Sequence, residues 1–177
     1  AVGLSTRILP HNFQELCKAS IAILQGKEFT LFPDFLTGGM ADCSDYREGQ
    51  RGGRVRVRAK IETLDKKTLV IKDIPFSTTT SSLIESIIKA NDKGKIKIKK
   101  VIDNTAKDVE ISIELPPGIS PDVTIDALYA FTDCEVSVSP SCCLIIDKKP
   151  RFISVHELLK LSTEHTLLLL KAELAFR

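Results

Sequence analysis

The chain has no tryptophan, no Cys-x-x-Cys pair, no low-complexity tract and no apolar run near the roughly 20 residues that a membrane span requires. A membrane-embedded role is therefore not expected. Five cysteines (Cys17, Cys43, Cys134, Cys142 and Cys143) are an odd number without metal-ligand spacing. Adjacent Cys142 and Cys143 point to opposite faces of a strand and make a poor chelate, so a reduced, cytoplasmic protein with cysteines as small core residues is expected. His11, His156 and His165 lie far apart, and no metal site is expected. There is no G-x-x-x-x-G-K loop to cradle a nucleotide phosphate. The opening AVGLSTRILP has neither an initiator Met nor a charged stretch leading into an apolar one, so no signal peptide is expected.

What is present is a folded composition, 43% hydrophobic and 27% charged over 177 residues, enough for one domain or two small ones. Charge is concentrated in one place. REGQRGGRVRVRAK, residues 47–60, holds six basic residues against Glu48 alone, a net +5 in a chain of net +2, which leaves the remainder at −3. From Arg54 the pattern alternates: Arg54, Arg56, Arg58 and Lys60 against Val55, Val57, Ala59 and Ile61. Alternation predicts a strand with one apolar and one cationic face, its same-face side chains about 6.7 Å apart. Gly52 and Gly53 permit a tight turn ahead of it. Arginine suits phosphate because its planar fork grips two oxygens. The competing reading is a solvated hairpin face, partly offset by Glu62, Asp65 and Asp73.

A second basic run, KGKIKIKK at 93–100, is expected to be neutralised. VEISIEL at 109–115 carries Glu110, Ser112 and Glu114 on one face. Pairing across DNTAKD sets Lys97 and Lys99 against those glutamates, worth roughly 0.2–1 kcal/mol per pair.

Along the chain, His11 or Asn12 begins a helix with Phe13, Leu16, Cys17, Ile21 and Leu24 facing inward and Gly26 at its end. Residues 29–53 read as loop, and strands follow at about 54–63 and 67–75. Ser82 and Glu85 match a capping box for a helix closed by Gly94. Ser120-Pro121 opens another helix that carries Tyr129 inward, and strands follow at about 134–139 and 142–147. The class is α+β, with antiparallel or mixed sheets and, from residue 67, a β-α-β-β-α-β ferredoxin-like unit. Ser154 and Glu157 cap a Leu-rich helix that runs to Arg177 and is too apolar around its circumference to stand alone, so it is read as the start of a coiled coil. Three segments are expected: 1–66, 67–150 and 151–177. With no Met in front and an open helix behind, the chain reads as a fragment.

Four pieces in order, AVGLSTRILPHNFQEL, FPDFLTGGMADCSDYREGQRGGRVRVRAK, VIKDIPFSTTTSSLIESI and TIDALYAFTDCEVSVSPSCCLII, resemble the A subunit of bacterial type IIA topoisomerases, DNA gyrase and topoisomerase IV. The match runs end to end and looks like the tower region of the breakage–reunion core. Leu36 stands where the family usually has Pro, and the stretch between Gly26 and Pro33 is shorter than in gyrases, which favours a topoisomerase IV-like or variant reading. The resemblance implies an ATP-dependent enzyme that passes one duplex through a transient break in another. It also implies partners: double-stranded DNA, a second A subunit, and a B subunit that carries ATP and Mg²⁺. The family's nucleophilic tyrosine sits in a winged-helix portion upstream of this segment, and its DNA-wedging isoleucine falls just before Ala1. Tyr46 and Tyr129, the only tyrosines, do not match the nucleophile's surroundings, so no catalytic residue is expected here. Arg7, His11, Asn12, Arg51, Arg54, Arg56 and Arg58 are the expected DNA contacts, all to phosphate. The alternatives are a free-standing nucleic-acid-binding adaptor, disfavoured because KIKIKKVID and VEISIEL carry no aromatic residue to stack a base, and a scaffold with incidental charge.

Overall fold

A computed structural model describes residues 4–176; Ala1–Gly3 and Arg177, the expected end of the last helix, lie outside the described residues. The content is α+β with antiparallel sheets, as expected. Two compact units are present, each assembled from separated segments: 1–34, 43–55 and 139–177 in the first, 35–42 and 56–138 in the second. Sequence order suggests contiguous segments at 1–66, 67–150 and 151–177. Contacts between distant residues group them otherwise, for example the bridge between Arg7 and Ser141.

In the first unit, α1 (Phe13–Leu24) starts at Asn12, whose side-chain oxygen accepts from the backbone N–H groups of Gln14 and Glu15. It packs on α4 (Val155–Phe176) around buried Ala19, Leu31 and Val155, with Leu16, Phe29 and Leu159 alongside. The inward face expected from periodicity is therefore corrected. Phe13 is 78% exposed, and Cys17, Ile21 and Leu24 are also on the surface. Two apolar stripes compete on α1, and the one built around small Ala19 lets the helix axes approach. Ser154 caps α4 through the N–H of Glu157, as read from the sequence. Leu167–Leu170 and Leu174 remain exposed along its outer half. A hairpin of β8 (Cys143–Ile146) and β9 (Lys149–Phe152) completes the unit, turning at Asp147 and Lys148, both with positive φ. Strand β9 was not apparent in the sequence.

Strands β1 (Met40–Asp42), β2 (Val55–Arg58) and β7 (Glu135–Val138), which apart from Val55 lie in the second unit, form one sheet in the order β1-β2-β7. A second sheet runs β3 (Lys60–Asp65), β4 (Thr68–Asp73), β6 (Ile111–Glu114), β5 (Lys100–Asp103). Helices α2 (Thr80–Asp92) and α3 (Pro121–Phe131) bury its apolar face around Leu69, Ile71, Leu83, Ile87, Ile111, Ile113 and Leu128. Strands β4 and β5 both pair antiparallel with β6 between them, which is the split β-α-β expected. The last strand differs. β3 takes the edge beside β4, and β7 pairs elsewhere. The chain changes sheets at Ala59, whose N–H donates to the Cys134 carbonyl at 2.7 Å. This splits the single strand expected at 54–63. Helix α2 starts earlier than expected: Thr79 and Ser82 form the reciprocal capping box, in place of Ser82 and Glu85.

Candidate nucleic-acid interface

The loop before β2 is wound around Tyr46, 2% exposed. With Nδ1 of His11 donating to the Leu9 carbonyl at 2.8 Å, Nε2 accepts from the Tyr46 hydroxyl at 3.1 Å. Burial lowers the His11 pKa and keeps the ring neutral for this pattern; the same cause raises that of Tyr46. After Tyr46 the backbone turns through three left-handed residues, Arg47, Glu48 and Gly49, with φ of 51°, 53° and 78°. A Cβ at Gly49 would stand 2.5 Å from Val155 Cγ2, so glycine is demanded by conformation and by packing. A Cβ at Gly53 would stand 2.4 Å from the Tyr46 carbonyl oxygen. REGQRGG is thus a close wrap on a buried tyrosine, and its side chains project outward because no room exists inside.

The strand reading holds: Val55 and Val57 are buried while Arg56 and Arg58 are exposed. The structure divides the arginines by their partners. Arg47 pairs with Asp45 at 2.8 Å, Arg56 with Asp42 at 2.5 Å, Lys60 with Glu62 at 3.1 Å, and Arg58 with Glu135 through Nε. The Glu135 bond raises the Arg58 pKa. The Arg58 guanidinium also lies 4.9 Å from the Tyr129 ring centroid. Arg51 rests over Phe152 at 5.4 Å and, like Arg54, has no carboxylate within salt-bridge distance among the described residues. Of the acids expected to offset this charge, only Glu62 does so. Asp42, Asp45 and Glu135 do the rest, and sequence reasoning missed them. Asp42 and Asp45 lie in the adjoining ADCSD, a local signal that was available, whereas Glu135 arrives only through the fold.

Arg7 is exposed, its backbone bridged to Ser141. Asn12 is occupied as the α1 cap and donates to Asp34 at 3.1 Å. Both ring nitrogens of His11 are engaged within the protein.

The lysine run departs from expectation. Residues 93–99 form no strand, and β5 begins at Lys100, opposite Glu114. Lys99 does reach Glu114 at 3.4 Å, but Glu110 is taken by Lys72 at 2.8 Å, and Lys97 has no ion-pair partner among the described residues. The helix-ending turn explains the shift. The Lys95 N–H returns to the Ala90 carbonyl, and the Asn91 side chain accepts from Ile98, consuming residues that strand pairing would need.

Tyr129 is half-buried, and its hydroxyl donates to the Ala59 carbonyl at 2.9 Å. Among the described residues there is no cluster of His, Cys, Asp or Glu able to hold a metal, and no helix long and apolar enough to cross a membrane.

Comparison with known proteins places this sequence in a family. The family model for the A subunits of DNA gyrase and topoisomerase IV matches residues 1–177. The chain is 42% identical over 98% of its length to the A subunit of DNA topoisomerase 4 from Borreliella burgdorferi, covering 28% of that protein. It is 33% identical over 93% of its length to the DNA gyrase A subunit of Lawsonia intracellularis, and 31% identical over 93% to that of Helicobacter pylori, covering 22% of each. The chain therefore spans about a quarter of the length of these relatives. It belongs to the family of DNA gyrase and topoisomerase IV A subunits.

Proposed function

We propose that this chain is the DNA-holding part of a type IIA topoisomerase A subunit, topoisomerase IV-like, silent in catalysis by itself. It grips the phosphates of bent duplex arms while chemistry is performed elsewhere in the enzyme. In the whole enzyme it works in the cytoplasm as a dimer of A subunits with B subunits that supply ATP and Mg²⁺. Arg51 and Arg54 are the primary contacts, joined by Arg7, Arg56 and Arg58. His11 serves the same site by linking the Leu9 carbonyl to the Tyr46 hydroxyl, and Asn12 by starting α1 and holding Asp34. Phosphate contacts position a protein without reading sequence, as an enzyme acting at many DNA sites requires.

The observation that carries this reading is the pair Arg51 and Arg54, without a carboxylate partner among the described residues, beside a turn wound closely on Tyr46. The exposed pairs of Arg56 and Arg58 are no obstacle, because surface ion pairs contribute only about 0–1 kcal/mol and a phosphate can replace or share the carboxylate. The extent of internal pairing favours a second reading, a scaffold with incidental charge. Titration of a labelled duplex at several salt concentrations separates the two. Binding that weakens steeply with salt supports DNA holding; salt-independent or absent binding supports the scaffold. In a parallel gel assay the chain should neither relax nor cleave supercoiled DNA, with or without ATP and Mg²⁺. Relaxation abolished by Tyr46→Phe or Tyr129→Phe would refute catalytic silence.

A further inference from the structure

Arg58 is held on two sides at once. Its Nε donates to Glu135 Oε2, as Arg47 Nε does to Asp45, whereas Arg56 uses a terminal nitrogen, Nη2, toward Asp42; among the described residues only Arg58 adds a ring contact to such an Nε pair. One face of the Arg58 guanidinium lies against the Tyr129 ring, with Cζ 4.9 Å from the centroid. That ring is itself anchored, since its hydroxyl donates to the carbonyl of Ala59, the residue after Arg58. Glu135 is brought alongside by the bond from the Ala59 N–H to the Cys134 carbonyl. A guanidinium has five N–H donors, one on Nε and four on the terminal nitrogens. With Nε spent on Glu135 and one face covered by a ring, the terminal Nη1 and Nη2 edge is left without a partner among the described residues. Arg58 is also about half exposed.

We infer that Glu135 and Tyr129 are positioning residues that hold Arg58 as a preformed fork, its terminal edge aimed outward to take two oxygens of one DNA phosphate. This rests on the reading of Arg58 as a DNA contact. An unrestrained arginine must lose rotamer freedom on binding, which weakens affinity about three- to tenfold per immobilised side chain. A clamped one has lost it on folding. Glu135 thus assists DNA binding despite its negative charge, and this opposition of sign makes the role testable. If Glu135 were only a counter-charge, its removal by any substitution would tighten binding.

The experiment measures duplex affinity at several salt concentrations for the chain and for Arg58→Gln, Arg58→Lys, Glu135→Ala, Glu135→Gln and the double variant Arg58→Gln/Glu135→Ala, with melting curves to confirm folding. Glu135→Ala should weaken binding about three- to tenfold, the loss expected when one long side chain must be ordered on binding. It should also flatten the slope of log K against log salt by up to about 0.9, one phosphate's share. Glu135→Gln keeps an oxygen for Nε and removes a charge, so it should tighten binding. In the Arg58→Gln background, Glu135→Ala should cause no further weakening. Arg58→Lys keeps the charge but loses the fork, so it should keep the salt slope while its affinity falls toward that of Arg58→Gln; this arm decides the matter if Glu135→Ala does not fold. Tightening by both Glu135 variants, or full function in Arg58→Lys, overturns the inference while leaving Arg58 a DNA contact. An Arg58→Gln variant with unchanged affinity and slope removes Arg58 from the interface, and the inference falls with that reading.

Discussion

Replacing Arg51 and Arg54 together by Gln should remove most of the salt dependence of DNA binding. The structure gives these two side chains no carboxylate partner among the described residues, so each enters the complex with its full charge. Each neutralised phosphate contributes about −0.9 to the slope of log K against log salt through counterion release. Arg51 and Arg54 neutralise one phosphate each, and Arg7 with the carboxylate-paired Arg56 and Arg58 one to two between them; this sets a slope near −3 for the native chain, and losing Arg51 and Arg54 leaves roughly −1.2. A fourfold rise in salt should then weaken the native chain about sixtyfold and the variant only about fivefold. Fluorescence anisotropy with a labelled mixed-sequence duplex reads both slopes. As a control, Lys60→Gln with Lys99→Gln removes the same formal charge from side chains paired to Glu62 and Glu114, and should change the slope much less. Lys97, without an ion-pair partner among the described residues, is tested separately as Lys97→Gln. An unchanged slope in the arginine variant beside a flattened one in Lys97→Gln would put the DNA on another surface and refute the reasoning.

Gly49→Ala should lower stability by about 2–4 kcal/mol, combining roughly 1–2 for a left-handed alanine with overpacking against Val155. Gly26→Ala, equally left-handed but in open space, should cost only the first part; melting temperatures compare them, and equal shifts would discount the Val155 contact. Because burial depresses the His11 pKa below its ordinary 6.5, protons bind the unfolded chain more readily. Stability should therefore fall as pH drops below about 6.5, until the lower folded value is reached; His11→Gln should blunt this loss in denaturant titrations, and an unaltered pH profile would count against it. Thiol labelling of the native chain followed by mass spectrometry should modify exposed Cys17 first and spare Cys134, which is buried with its pKa pushed up to about 11. Early labelling of Cys134 would contradict that burial.

Patterns decided by neighbours in sequence were legible without coordinates. The alternation of Val55 to Arg58, the α3 start at Pro121, the side-chain caps at Asn12 and Ser154, and the β-α-β-β-α-β order depend on local periodicity, on the fixed φ of proline and on side chains reaching their own backbone. The family, too, was carried by motifs in order along the chain. What only the tertiary structure decided was which of several chemically acceptable partners each group meets. Periodicity marked α1 as amphipathic, but packing on α4 chose the Ala19 face over the Phe13 face. Charge counting proposed Asp65 and Asp73 as counter-ions, but the pairs formed with Asp42, Asp45 and Glu135, the last being 77 residues from Arg58. The lysine run alternates as strongly as the arginine run, yet the turn after α2 drew it out of the sheet. Composition sets how much charge a chain carries; whether an arginine remains available to a phosphate depends on which carboxylate the fold delivers within about 4 Å, where Coulomb attraction and hydrogen bonding become strong.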